Sequence, residues 1–115
     1  MKQEERSDLG MVKIHRNVVA SIASLAAQDI EGVKRVGFIR MGFMEFLTSK
    51  AASCIKVEFE KNEDVKVQIP LVVKYDYNIA DVSSKVQENV RSSLERMTSL
   101  FIKEISINVQ GVERG

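Results

Sequence analysis

Hydrophobic residues change their period repeatedly along this chain, and each change marks an element. Met11 to Ile14, apolar except for Lys13, reads as a short first strand because a helical pattern follows it. From Asn17 onward, Val18, Val19, Ile22, Leu25, Ala26, Ile30 and Val33 recur at three- and four-residue steps. Asn17, Ser21, Ser24, Gln28 and Glu31 fall on the opposite arc, so the segment predicts an amphipathic helix. Asn17 is better capping chemistry than His15, since its side-chain oxygen accepts from a free backbone N–H. Gly32 stands where a left-handed cap would end the helix, at about Glu31.

A period of two follows. Ile55, Val57 and Phe59 alternate with Lys56, Glu58 and Glu60, and Val65, Val67, Ile69, Leu71, Val73 and Tyr75 continue the pattern. Keeping apolar residues together across a hairpin sets Phe59 opposite Val65, Val57 opposite Val67, Ile55 opposite Ile69, and Glu58 opposite Lys66 on the other face. The loop must then be odd-numbered and turn around Asn62. Pro70 has no N–H to give, which predicts an edge or a bulge there.

A second helix is predicted from about Ala80 to Ser99. Ile79, Val82, Val86, Val90, Leu94 and Met97 share one arc, with Asp81, Lys85, Glu88, Arg91 and Glu95 opposite. Ile105, Ile107 and Val109 then alternate with Ser106, Asn108 and Gln110 as a last strand. The expected order is β-α-β-β-α-β, an α+β two-layer sandwich with two helices packed on one face of a mainly antiparallel sheet. Residues 1–9 are expected to be a disordered lead-in, 10–112 a single domain, and 113–115 a tail.

Composition narrows the function classes. The 115 residues carry 17 Lys+Arg against 16 Asp+Glu, a net charge of +1, which argues against a generally basic nucleic-acid binder. One cysteine cannot form an internal disulfide, and MKQEERSDLG lacks the apolar stretch of a signal peptide, so a cytoplasmic setting is expected. Val18 to Ala27 is too short and too polar to span a bilayer.

Several strings together resemble the bacterial alkaline shock protein family. They are Ala26-Ala27-Gln28-Asp29-Ile30-Glu31-Gly32-Val33, Pro70-Leu71-Val72-Val73-Lys74-Tyr75 with Asn78-Ile79, Val86-Gln87-Glu88-Asn89-Val90, Met97-Thr98, and Ile105 to Val109 through Gly111-Val112. The resemblance covers roughly residues 11–36 and 54–112. It implies a small cytoplasmic protein of general and cell-envelope stress with no catalytic centre, so no functional residue is carried over. His15-Arg16 replaces the family's usual Ser-Pro, and Ala80 its frequent Pro. Residues 37–53 are rich in Phe and Met where the family carries a variable, often Gly- and Lys-rich connector.

That connector is the main candidate site. Phe38, Ile39, Phe43, Met44, Phe46 and Leu47 form an apolar surplus that either closes the core as a flap or docks a partner protein, a second copy, or a membrane headgroup region. The alternative is a small RNA-binding module of KH-like character using Lys34, Arg35 and Arg40, although no Gly-x-x-Gly clamp occurs. Cys54 and His15 read as structural residues, and with one of each the chain is short of ligands for a zinc site, so metal catalysis is not expected. Asp29, within the apolar arc, reads as a residue where the helix leaves the core, and Glu58 with Glu60 as a solvated strand face. The expected function is therefore non-enzymatic docking at or near the inner membrane face, through a protein partner or self-association. No cofactor and no small-molecule substrate are expected, and nucleic acid is disfavoured.

Overall fold

The computed structural model describes residues 2–37, 54–62 and 64–114, with residues 2–14 described by their backbone alone. The elements are α1 (Lys2–Gln28), β1 (Val33–Val36), β2 (Lys56–Phe59), β3 (Val65–Lys74), α2 (Ile79–Met97) and β4 (Ile102–Glu113). The order is α-β-β-β-α-β, which corrects the expected β-α-β-β-α-β. Met11 to Ile14 is helical, as are residues 2–9 before it. No proline separates that apolar run from the helix after it, and extending an existing helix costs far less than starting a new element. The first strand is instead Val33–Val36, whose sequence VKRV gives almost no alternation to read.

The buried arc of α1 also differs from the predicted one. Val19, Ala20, Ala23, Ser24, Ala26 and Ala27 are buried, whereas Leu25 is 71% exposed and Val18 43%. Alanine lets a helix come close to its neighbours, so the small residues take the contact and the larger ones beside them turn outward. Ser24, assigned to the polar arc, is satisfied internally by accepting from Gln28 Nε2 at 2.7 Å. In α2 the predicted arc holds at Val82, Val86, Val90 and Leu94, all buried. Ile79 and Met97, at its two ends, are exposed. The Asn78 side chain accepts from Asp81 N–H and caps the helix.

The hairpin register is the predicted one, with Phe59 opposite Val65, Val57 opposite Val67, and Glu58 opposite Lys66. Its odd-numbered loop is closed by Glu60 N–H donating to Asp64 O at 2.8 Å. β3 is the central strand. β2 pairs antiparallel with its first half and β1 antiparallel with its second, while β4 runs parallel along the whole length of the other side. Pro70 therefore lies in the centre of the sheet rather than at an edge. It falls between Gln68, the last partner of β2, and Leu71, the first of β1, and its carbonyl accepts from Gly37 N–H at 2.9 Å. A residue's N–H and C=O point to the same side of a strand, so the missing donor coincides with the junction between β2 and β1.

Val65, Val67, Ile69, Leu71 and Val73 bury one face of β3 against the helices. On the opposite face Val72 is also fully buried. Arg35 lies beside Val72 in the register and Gly111 on its other side. The Arg35 guanidinium crosses this position to hold both carboxylate oxygens of Glu113, at 2.6 and 2.9 Å. Gly111 has no side chain to obstruct the bridge.

Candidate functional site

The helices run antiparallel, which gives the molecule two distinct ends. At one end, Gly32 follows α1 with φ of +101° and its carbonyl accepts from Lys74 N–H at 2.8 Å. Tyr77 lies against this glycine and donates its hydroxyl to Glu31 Oε1 at 2.9 Å. That hydrogen bond, with lesser help from burial and the Glu31 charge, raises the phenol's pKa above its usual value. Tyr75 is 62% exposed, with the Arg114 guanidinium 5.6 Å from its ring centre. Lys74, Tyr75, Asp76, Tyr77 and Arg114 line an open concavity of about 490 Å³.

At the other end, His15, Val18, Val19, Met97, Thr98, Ser99 and Leu100 line a groove of about 320 Å³ between α1 and the end of α2. Met97 is 63% exposed and Val18 adds a second open apolar side chain. Thr98 closes the helix above the groove, its hydroxyl donating to Leu94 O at 2.7 Å. This groove is the feature sequence reasoning missed. Both Val18 and Met97 had been assigned to the buried arcs, and only the unequal size of α1's residues hinted that its arc was rotated.

Phe38, Ile39, Phe43, Met44, Phe46, Leu47 and Arg40 lie outside the described residues. Of the basic cluster, Lys34 is exposed, while Arg35 is held by Glu113 in a two-pronged ion pair. Asp29 is exposed in the turn after α1, as its surface reading implies. His15 is exposed and Cys54 half-buried. The expected solvated charges on the hairpin are found, and Glu60 also reaches across to β4. It accepts from Lys103 Nζ at 3.1 Å and lies 3.8 Å from Lys66 Nζ. The Lys103 hydrogen bond leads in lowering the Glu60 carboxyl pKa, and Glu60 in turn raises that of Lys103.

The strings that carried the resemblance meet at the joints of the fold. Gln87 Nε2 donates to Ile105 O at 2.6 Å and Asn89 Nδ2 to Ala26 O at 2.8 Å, tying α2 to β4 and to the end of α1. Glu31 and Gly32 meet Tyr77, and Asn78 starts α2. Arg91, expected on the solvent arc, donates to Ile102 O at 2.7 Å. Among the described residues no three His, Cys, Asp or Glu side chains converge to hold a metal ion, and no helix is long and apolar enough to cross a membrane.

These features define a small two-layer α+β domain whose distinctive polar residues hold its elements together. The chain belongs to the alkaline shock protein 23 family, described by a cell envelope-related function, whose model matches residues 4–114. It is 33% identical over 111 residues to the uncharacterized protein YqhY of Bacillus subtilis, covering 95% of this chain and 82% of that one. It is 28% identical to the uncharacterized protein YloU of the same organism, over 97% and 96% of the two chains. Among solved structures, a doubly substituted form of the MamM CTD superposes with a TM-score of 0.55 at 15% identity, covering 88% of this chain and 98% of that one. At that identity the likeness is one of fold.

Proposed function

We propose that this chain is a non-enzymatic interaction protein of the cell-envelope stress type, acting by protein–protein docking at the inner face of the membrane. The observation that carries this reading is the division of labour among its side chains. Gln87, Asn89, Arg91, Arg35 and Tyr77 are engaged in holding elements together, while Met97 and Val18 stand open around a groove. An exposed methionine beside an aliphatic residue suits a surface that adapts to a protein partner. The apolar segment 38–47 supplies a second contact in this proposal. The RNA reading loses support, because Arg35 is already neutralised by Glu113.

The test is recovery of bound proteins from cytoplasmic and membrane fractions, using the wild-type chain, a Phe43→Ala/Phe46→Ala chain and a Met97→Ser chain. Docking predicts a specific partner with wild type, lost in one or both variants whose circular dichroism melts are unchanged. Equal recovery by all three would remove these surfaces from consideration. Retention of RNA that weakens steeply with salt would restore the alternative.

A further inference from the structure

The end of the molecule that holds Gly32 gathers apolar side chains at its surface. Tyr75, Tyr77, Ile79 and Val112 are all exposed. Val112 pairs with the buried Val73 in the register, and strand alternation puts Tyr75 and Arg114, two residues further along β3 and β4, on that same helix-facing side. α2 begins only at Ile79, so the last residues of both strands lie open beside its start.

The charges there are uncommitted. Arg35, Lys66 and Lys103 are taken by carboxylates elsewhere in the fold, whereas among the described residues neither Lys74 nor Arg114 has such a partner. Arg114 sits over the Tyr75 ring instead, a contact made through its charge that leaves guanidinium N–H donors for an acceptor. Tyr77 offers its ring alone, because its hydroxyl is engaged by Glu31. Asp76 lines the same concavity of about 490 Å³ and has no cation paired with it among the described residues.

We propose that this concavity binds an acidic peptide segment of a partner protein, a carboxylate of the peptide meeting Arg114 and Lys74 and an apolar neighbour lying against Tyr75 and Val112. This goes beyond docking through the groove or segment 38–47 and does not depend on either. The forked N–H groups of an arginine match a carboxylate with two parallel hydrogen bonds, and tyrosine with arginine is the pairing in which the energetic centres of protein interfaces are rich. Asp76 decides the class of ligand. A phosphate group or a nucleic-acid backbone would be set against this carboxylate, whereas a peptide also brings backbone N–H groups for it to accept. The charged contacts are solvent-exposed, so the binding is weak and falls with salt.

The test is tyrosine fluorescence of the full chain, since Tyr75 and Tyr77 are its only tyrosines and it has no tryptophan. Short blocked peptides in which Glu alternates with Leu are titrated in at low salt, alongside the same peptides with Gln for Glu and, separately, inorganic phosphate. The acidic peptides are expected to change the emission saturably, and the Gln peptides and phosphate to bind about tenfold or more weakly. Arg114→Gln, at an exposed position, should keep the wild-type melt and lose about tenfold or more in affinity for the acidic peptides, with Lys74→Gln reading the second cation. Met97→Ser and the Phe43→Ala/Phe46→Ala chain should bind them as wild type does. The proposal is overturned if no acidic peptide changes the emission up to about 1 mM, if phosphate binds as tightly as the acidic peptides, or if Arg114→Gln and Lys74→Gln both bind like wild type. Loss of binding in Met97→Ser alone would likewise overturn it and move the contact to the groove.

Discussion

At Gly32 a Cβ would lie 2.7 Å from Val82 Cγ2 and 2.8 Å from Tyr77 Cδ2, on a backbone whose φ of +101° already disfavours a side chain. Strain of that kind costs about 1–3 kcal/mol before the clash is added. Gly32→Ala should therefore lower the urea midpoint by at least that equivalent, and an unchanged midpoint would mean the turn is not built as described. The sequence revealed a glycine suited to a left-handed position but not the tyrosine packed on it from residue 77. Tyr77 has a signature of its own. Ionising its phenol would remove the hydrogen bond it donates to Glu31 and leave a phenolate beside that carboxylate, so its pKa is raised. The associated stability is complete below the usual tyrosine range and is lost as pH rises through the folded-state pKa. Absorbance titration should show the Tyr77 phenol ionising at higher pH in wild type than in Glu31→Ala. Identical titration of the two chains would contradict the hydrogen bond.

Elements were legible where the burial pattern is regular and bounded. α2 has aliphatic side chains on one arc and a capping asparagine, and the hairpin register followed from keeping Phe59, Val57 and their partners on one face. α1 was misread because its contact surface is made of alanines, which carry little pattern, while the more hydrophobic Leu25 faces water. β1 was missed because four residues with Lys34 and Arg35 at their centre have no strand signal of their own, and they become a strand by pairing with β3. The string Val86 to Val90 separates element-level roles one residue apart. Asn89→Ala removes the bond from α2 to Ala26 O and should cost about 0.5–1.5 kcal/mol in chemical denaturation. The exposed neighbour Glu88→Ala should stay within about 0.5 kcal/mol of wild type. Equal effects would mean that the joint between α2 and α1 is not where the stability lies.

At the scale of the whole molecule, the chain's own pattern determined that it would be an α+β domain, that residues 55–75 would form a hairpin with one register, and that α2 would bury Val82, Val86, Val90 and Leu94. Each of these follows from side chains close in sequence, where period and turn length decide which residues share a face. The tertiary structure alone decided that β1 and β2 share one side of β3 with Pro70 at their junction, and that β4 runs parallel on the other. It also decided that Arg35 crosses Val72 to reach Glu113, and that Val18 and Met97 open a groove instead of filling the core. These outcomes depend on contacts between residues far apart in the chain, and local hydropathy carries no record of which distant neighbour a side chain will meet. The weight of the candidate surfaces lies there too, since exposure of an apolar residue is fixed by what packs around it and not by its own identity.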